Sequence, residues 1–121
     1  MSEQEDKFNR GVALAGKLFE GLDVEAVKMS DSFRAHTMAH LFGDVWQGSE
    51  LELQERSLVT CVTLIALNRE HEQRLHFTGA KNLGVPREKL EGAIAHVAHY
   101  AGWPNAVTAF RVLDEVWPAD S

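Results

Sequence analysis

The spacing of glycine and proline residues constrains the fold of this chain more than any other feature of its sequence. Four glycines each follow a stretch in which apolar residues recur with roughly the period of a helix: Gly21, Gly43, Gly84 and Gly102. Glycine is the residue that most often follows the last turn of a helix. Pro86 and Pro104 stand shortly after two of these glycines, where the first turn of a new helix accepts proline. This punctuation predicts a series of short helices joined by short links.

Six helical segments are predicted from this punctuation and from the apolar periodicity. Their approximate bounds are residues 8–19, 24–41, 51–68, 70–83, 86–101 and 104–116. The inward positions predicted for the second segment are Val27, Phe33, Met38 and Leu41. Residues 43–48 are expected to form a turn or short irregular link. Together these elements predict a single all-α domain over residues 1–121.

The third segment is the most apolar and begins with a start signal. Ser49 and Glu52 have the Ser-x-x-Glu spacing of a capping box, so we expect this helix to begin near Leu51. Residues 59–65 are rich in β-branched side chains, which on propensity alone would fit a strand. The cap, and the length of the segment without turn residues, favour a buried helix instead.

Composition and charge argue against several classes of protein. The chain has 121 residues, of which 45% are hydrophobic and 25% charged, as is ordinary for one globular domain. Its net charge of −6 argues against a nucleic-acid-binding protein, which needs a basic face. The longest apolar run, residues 58–67, is far shorter than the roughly 20 residues of a membrane-spanning helix. We therefore expect neither nucleic acid nor a membrane as a partner.

Targeting and redox features point to a reducing compartment. The polar N-terminus lacks the apolar region of a secretory signal, and the single cysteine, Cys61, excludes an intrachain disulfide. We therefore expect a cytoplasmic protein. Cys61 lies in the most apolar segment, where burial makes a thiol unreactive. Neither a GxxxxGK[ST] nor a GxGxxG motif is present, so no nucleotide cofactor is predicted.

Histidine is frequent for so short a chain, with six residues: His36, His40, His71, His76, His96 and His99. His36 with His40, and His96 with His99, are spaced so that each pair could share one face of a helix. The glutamate of a His-Glu-x-x-His zinc motif is absent from this spacing, so we predict no metal site. A metal-binding protein that uses one of these pairs stays open as an alternative interpretation.

The densest polar cluster spans residues 68–76. Glu72 and His76 are four residues apart and share one face of the predicted fourth helix, and Arg69 lies near the same side. A run of this kind is often a solvated face. It follows a wholly apolar helix, however, and precedes small residues at 79–80 that allow close helix packing. A histidine on the inner side of such a helix could exchange a proton near pH 7, so both interpretations stay open.

A series of short segments, taken in order along the chain, carries a family resemblance. The segments are Phe8-Asn9-Arg10-Gly11, His40-Leu41-Phe42-Gly43-Asp44-Val45-Trp46, Glu55-Arg56-Ser57-Leu58-Val59-Thr60, Ala66-Leu67-Asn68-Arg69-Glu70, Leu75-His76, Gly79-Ala80, Asn82, Gly84-Val85, Tyr100-Ala101-Gly102-Trp103-Pro104-Asn105-Ala106 and Ala109-Phe110. They resemble the carboxymuconolactone decarboxylase family, whose all-α fold is shared with the alkylhydroperoxidase-D (AhpD-like) proteins. The resemblance covers most of the chain.

The resemblance implies an AhpD-like helical domain of about six helices that assembles as a homo-oligomer, a trimer or a hexamer. The peroxidase branch of the family carries a Glu, then a Cys-x-x-Cys, then a His. With His76 placed on the family histidine, Arg69 and Glu72 stand where the two cysteines would be, and Ser57 stands where the glutamate would be. The chain therefore resembles the branch without cysteines, which includes γ-carboxymuconolactone decarboxylase.

The activity implied by the resemblance is cofactor-independent decarboxylation of a lactone carboxylic acid. The specific reaction is 4-carboxymuconolactone to 3-oxoadipate enol-lactone, in aromatic-compound breakdown. The alternative is a family member without peroxidase chemistry that acts on, or binds, another small molecule. Two departures bear on the substrate: residues 15–29 lack the decarboxylase's usual pattern, and Trp103-Pro104-Asn105 stands where it prefers Val-Pro-Ala.

The resemblance and the polar cluster together suggest roles for four side chains. His76 is the predicted proton donor or the group that polarises the lactone, and Glu72, one turn earlier, is expected to orient or tune it. Arg56 is predicted to clamp a substrate carboxylate through its bidentate guanidinium, with Arg69 as the second candidate. The structural alternative for Arg56 is a salt bridge to Glu52 on its own helix.

Two further residues, His40 and Trp46, belong to the segment that matches the family after the second helix, and we expect them to wall the pocket. The three tryptophans, Trp46, Trp103 and Trp117, lie at the ends of predicted segments. At such positions they are candidates for burial against a partner subunit.

Overall fold

A computed structural model describes residues 2–120, and within that range every regular element is helical. The six α-helices are α1 (Glu3–Leu18), α2 (Asp31–His36), α3 (Leu53–Ala66), α4 (Glu70–Asn82), α5 (Arg87–Ala101) and α6 (Trp103–Val116). The predicted all-α class and the predicted number of helices are therefore confirmed for the described residues. No helix in this part of the chain is long and apolar enough to cross a membrane.

The second predicted segment is wrong as a single helix. A 3-10 turn at Val24–Ala26 is followed by an extended link, and α2 then begins at Ser30, whose hydroxyl accepts a bond from the Phe33 amide at 3.1 Å. From α2 the chain continues as a π-helix at Thr37–Phe42. A π-helix has a wider turn than an α-helix, so it changes which side chains point inward.

The inward positions predicted for this segment are accordingly wrong for three of four residues. Phe33, Leu41 and Val27 are 60%, 40% and 36% exposed. Met38 is partly buried and packs against the smaller of two apolar cores. The prediction assumes one continuous helix with a period of 3.6 residues. The break before α2 and the π-helical turn both interrupt this period.

The helix ends predicted from glycine agree with the structure more closely than the predicted helix starts do. Gly84 and Gly102 have φ values of +84° and +106°, the left-handed region that favours glycine at a helix end. The predicted capping box of Ser49 and Glu52 is wrong: α3 begins at Leu53, and the Glu55 carboxylate accepts the Glu52 amide at 2.8 Å. This bond satisfies an amide that the helix itself leaves without a partner.

Two apolar cores hold the domain together. The larger core lies among α3 to α6 and includes Phe77, Leu90, Ile94 and Leu113, all with no exposed surface. The smaller core joins α1 to the π-helix and consists of Leu14, Ala15, Leu18, Phe42, Trp46 and Leu83. Of the three tryptophans, Trp46 and Trp117 are buried within the chain, so the expectation of partner contact is wrong for these two. Trp103 is 63% exposed.

Helix α1 and the π-helix lie backbone against backbone. A Cβ atom added at Gly11 would come within 1.7 Å of the Met38 carbonyl oxygen, and one at Gly43 within 1.9 Å of the Lys7 carbonyl oxygen. Only glycine allows this approach, because the colliding atoms belong to backbone and cannot rotate away. The contact fixes the π-helical turn against α1.

The end of α1 is attached to α4. The Asn82 side-chain amide donates to the carbonyl oxygens of Leu18 at 2.9 Å and Glu20 at 3.0 Å. Gly79 leaves room for the Leu18 side chain, whose Cδ1 lies 2.6 Å from where a Cβ at position 79 would be. These contacts place Phe19, which caps α1, on the face of α4 that carries His76.

Candidate active site

His76 lies in the middle of α4, half-buried beneath the ring of Phe19. The centroids of the two rings are 5.4 Å apart and the rings are nearly perpendicular, at 76°. The Nδ1 atom of His76 is buried and has no hydrogen-bond partner among the described residues. A protonated imidazole donates from both nitrogens, so an enclosed Nδ1 without an acceptor favours the neutral ring.

The electrostatic setting of His76 points the same way. Burial lowers the pKa of His76 to about 4, and the negative charge of Glu72 raises the pKa by a smaller amount. The influence of Glu72 agrees with the prediction that the two side chains share one face of α4. At neutral pH, His76 is therefore an uncharged imidazole that can donate one hydrogen bond and accept another.

Arg56 is engaged with the link that precedes α3. Its guanidinium donates to the Gly48 carbonyl oxygen at 3.0 Å and lies 3.5 Å from a Glu50 carboxylate oxygen. The salt bridge expected within the helix, to Glu52, is replaced by this pair with Glu50. Cys61, which bonds to the backbone of His76, lies five residues further along α3, about 7.5 Å along the helix axis. The Arg56 guanidinium thus contacts residues 48–50.

The other three predicted site residues are not brought together with His76. Arg69 is exposed at the N-terminus of α4, about 10 Å along the axis from His76. The side chain of His40 is 71% exposed and lies 4.0 Å from Asp44. Trp46 is buried in the smaller core against Phe42, at a centroid distance of 5.7 Å, and reaches His76 only through the rings of Phe42 and Phe19.

A cavity of about 180 Å³ lies beside the Phe19 ring. Its walls come from the end of α1, the link after it, α2, the π-helix and Leu75 of α4. Of the ten described residues that line it, Arg34 alone is charged, and all others except Thr37 are apolar. Phe19 therefore both lines the cavity and contacts the His76 ring.

Arg34 is not among the site residues predicted from the sequence, although it lies within the predicted second segment, residues 24–41. Arg34 is partly buried, and its guanidinium donates to the Val27 carbonyl oxygen at 2.8 Å. The sequence signal that points to Arg34 is a single arginine among the apolar positions of this segment. The π-helix contributes four of the ten lining residues: Thr37, Met38, Leu41 and Phe42. Turns of this type are frequent at functional sites.

The paired histidines do not assemble a metal centre within residues 2–120. His36, His40, His96 and His99 are all exposed. No group of three or more His, Cys, Asp or Glu side chains in the described part of the chain is placed to hold a metal ion. His96 instead stacks on Tyr100, and His99 bonds to the Ala95 carbonyl oxygen at 3.1 Å.

Cys61 is a core residue, as the sequence predicted. It has no exposed surface, and its thiol donates to the His76 carbonyl oxygen at 3.5 Å. Burial raises the pKa of the Cys61 thiol to about 12. The reactive thiolate is therefore almost absent at neutral pH.

Comparison with known proteins identifies the family of the chain. The chain is 40% identical over 76 residues to the 4-carboxymuconolactone decarboxylase of Acinetobacter baylyi, covering 63% of this chain and 57% of that protein. It is 37% identical over 74 residues to the nitrosuccinic acid decarboxylase of Metarhizium robertsii, covering 61% of this chain and 52% of that protein. The chain thus spans little more than half the length of these curated relatives. The model of the carboxymuconolactone decarboxylase family matches residues 32–115. The chain therefore belongs to the carboxymuconolactone decarboxylase family.

Proposed function

We propose that this protein is a cofactor-independent carboxy-lyase that converts 4-carboxymuconolactone to 3-oxoadipate enol-lactone. The observation that carries the proposal is a neutral, half-buried His76 in contact with Phe19, which also lines a small apolar cavity. Both relatives described above are named decarboxylases, which supports the same reaction class.

The chemistry places modest demands on the protein. The bond between the ring carbon and the carboxylate breaks, and its electron pair moves through the ring double bond into the lactone carbonyl. The substrate is therefore its own electron sink. The protein has to hold the carboxylates, stabilise the negative charge that develops on the carbonyl oxygen, and allow a proton to return to a ring carbon.

His76 is suited to stabilising that charge. A neutral imidazole donates one hydrogen bond, and in a partly enclosed site such a bond is worth more than in water. Between the two roles predicted for His76, the pKa of about 4 favours polarising the lactone over releasing a stored proton. Glu72 acts on the His76 ring electrostatically and tunes its basicity.

The roles proposed for the two arginines differ in their structural support. Arg56 contacts Gly48 and Glu50 through one terminal nitrogen, so other donors of its guanidinium are left for a substrate carboxylate. Arg69 is free of the core but distant from His76 along α4. His40 and Trp46 likewise lie away from the cavity lining, at the surface and in the smaller core.

The test is a direct assay with 4-carboxymuconolactone, following release of CO2 and loss of substrate. We expect the wild type to be active and His76→Ala to lose about 100-fold or more in kcat. His71→Ala, which removes an exposed histidine from the same helix, is the matched control and should keep full activity. Full activity in His76→Ala would overturn the assignment of His76.

Nitrosuccinic acid is the second substrate to be tested, because it is named in the second relative. It also carries a carboxylate next to an electron-withdrawing group, the nitro group, and would use the same features of the site. Turnover of nitrosuccinic acid without turnover of the lactone would favour the alternative, a family member that acts on another small molecule.

We also propose that the chain self-associates as a trimer or a hexamer. Tyr100, Trp103 and Phe110 of α5 and α6 are 81%, 63% and 40% exposed. Trp103 and Phe110 also line an apolar groove of about 160 Å³. Covering this face would remove large aromatic surfaces from water. Sedimentation should show an assembly that Trp103→Glu weakens. A 13.5 kDa monomer at micromolar concentration would contradict the proposal.

A further inference from the structure

We propose that Arg34 binds a carboxylate of the substrate, and that the cavity it lines is the substrate pocket. This inference rests on the proposed function, because it identifies where the substrate of that reaction is held. Arg34 belongs to none of the residues that the sequence assigned to the site. Arg34 is placed in the cavity lining by the geometry of α2 and the π-helix alone.

The size of the cavity selects a small ligand. Pockets for drug-sized molecules measure about 300–1,000 Å³, whereas this cavity measures about 180 Å³. A closed apolar cavity of about 150 Å³ is large enough for a benzene molecule. The cavity is therefore large enough for a single five- or six-membered ring with short substituents.

The charge of the lining selects an anion. Arg34 is the one charged residue among the ten that line the cavity, so no lining carboxylate competes for its guanidinium. One of its terminal nitrogens donates to the Val27 carbonyl oxygen at 2.8 Å. Guanidinium carries five N–H donors in a rigid fork, so donors are left for two parallel bonds to a carboxylate. A ring that bears a carboxylate matches both the apolar walls and this single cation.

A second cavity strengthens the assignment of Arg34. This space of about 390 Å³ shares Phe19, Val24, Arg34 and Met38 with the first. Among the described residues that line this second space, Arg34 is the one basic residue and Glu20 the one acidic residue. A carboxylate held in either cavity therefore meets the same guanidinium.

The position of the pocket fits the reaction. Phe19 lines the cavity with one part of its surface and touches the His76 ring with another. Leu75, the neighbour of His76 on α4, also lines the cavity. A ring anchored by its carboxylate at Arg34 would thus lie against Phe19 and Leu75, the two lining residues that adjoin His76. Arg34 is in this view a substrate-binding residue that does not take part in bond breaking.

Kinetics with the substrate test the role of Arg34. Loss of a charged hydrogen-bond pair costs about 10- to 100-fold in affinity, so Arg34→Gln should raise KM by that factor while kcat stays within about threefold. Arg34→Lys keeps the positive charge but lacks the bidentate guanidinium, so its KM should lie between those of the wild type and Arg34→Gln. Lys28→Gln is the matched control, because it removes one exposed positive charge close to the cavity without lining it. An unchanged KM in Arg34→Gln would overturn the inference.

Binding measurements separate this inference from the proposed activity. The probes are 2-furoate, a five-membered ring with a carboxylate, and 2-furamide, its uncharged counterpart, titrated while the methyl resonances of Val24 and Val27 are followed by NMR. We expect 2-furoate to shift both residues, and Arg34→Gln to weaken 2-furoate at least about 10-fold without affecting 2-furamide. Equal binding of 2-furoate to wild type and Arg34→Gln, or no binding to the wild type, would overturn the inference.

The outcomes of the two experiments differ for the two proposals. Binding of 2-furoate that depends on Arg34, in a protein that decarboxylates neither 4-carboxymuconolactone nor nitrosuccinic acid, would leave the pocket assigned and remove the proposed reaction. Decarboxylation of either substrate with an unchanged KM in Arg34→Gln would support the proposed reaction and remove the assignment of the pocket. Arg34→Lys guards against a loss of folding in Arg34→Gln, and the thermal unfolding of both variants is measured first.

Discussion

The rings of Phe19 and His76 meet nearly at right angles, with their centroids 5.4 Å apart. Phe19 is the residue that ends α1, and Asn82 of α4 holds the carbonyl oxygens on either side of it, those of Leu18 and Glu20. One aromatic ring from the first helix thus covers the histidine of the fourth. The ring of Phe19 is part of the surroundings that bury His76, and this burial lowers the pKa of the imidazole.

Removal of the Phe19 ring should raise the pKa of His76. Phe19→Ala admits water to the imidazole, so the pKa is expected to rise from about 4 toward the ordinary value of 6.5. The measurement is an NMR titration of the His76 ring protons. Phe33→Ala, which removes a phenylalanine that is 60% exposed, is the matched control and should leave the His76 titration unchanged. A pKa that stays near 4 in Phe19→Ala would show that other groups bury the ring.

The same pKa makes the stability of the protein depend on pH. Above pH 6.5, His76 is neutral in both the folded and the unfolded chain and contributes no pH dependence. Between pH 6.5 and about 4 the unfolded chain takes up a proton that the folded chain does not, so the free energy of unfolding falls as the pH falls. The loss levels off below pH 4, at about 3 kcal/mol from this residue.

Urea unfolding at pH 7 and at pH 5 measures this loss. His76→Gln removes the titrating group, so its stability should decline less between the two pH values than that of the wild type. His71→Gln removes an exposed histidine from the same helix and should decline as the wild type does. Equal declines in wild type and His76→Gln would mean that His76 takes up its proton in the folded protein as readily as in the unfolded one.

Cys61 should resist thiol reagents in the folded protein. Its thiol is buried and has a pKa of about 12, whereas reaction requires an accessible thiolate. We expect Ellman's reagent to label native Cys61 at least about 100-fold more slowly than the urea-unfolded chain. The comparison thiol is Thr63→Cys in a Cys61→Ala background, which lies exposed on the same helix and should react at once. Rapid labelling of native Cys61 would indicate that α3 and α4 separate readily.

The parts of the fold that could be predicted from the sequence are those with local causes. The ends of α4 and α5 follow from Gly84 and Gly102, since a left-handed residue is a property of a few neighbouring positions. The approach of Glu72 to His76 follows from the geometry of one helix. These features need no knowledge of how distant segments meet.

The parts of the fold that could not be predicted depend on contacts between segments that are distant in the sequence. The π-helical turn lies where α1 crosses it at Gly11, and a periodicity of 3.6 residues within residues 24–41 contains no trace of that crossing. Arg34 becomes a cavity residue only because this turn opens a space beside Phe19. The partner of Arg56 is Glu50 because an irregular link returns to α3, and irregular links have no periodicity to read.

The crossing of α1 and the π-helix supplies a further prediction, on stability. A methyl group at position 11 would lie 1.7 Å from the Met38 carbonyl oxygen, so Gly11→Ala must push two backbones apart. Overpacking typically costs about 1–3 kcal/mol, and we expect this substitution to cost at least about 3 kcal/mol because neither backbone can yield by rotation. Gly16→Ala, in the same helix and with nothing within 4 Å of the added carbon, should instead stabilise the protein by about 0.5–1 kcal/mol. Thermal and urea unfolding of the two variants checks both values, and similar stabilities would mean that the two helices do not touch at Gly11.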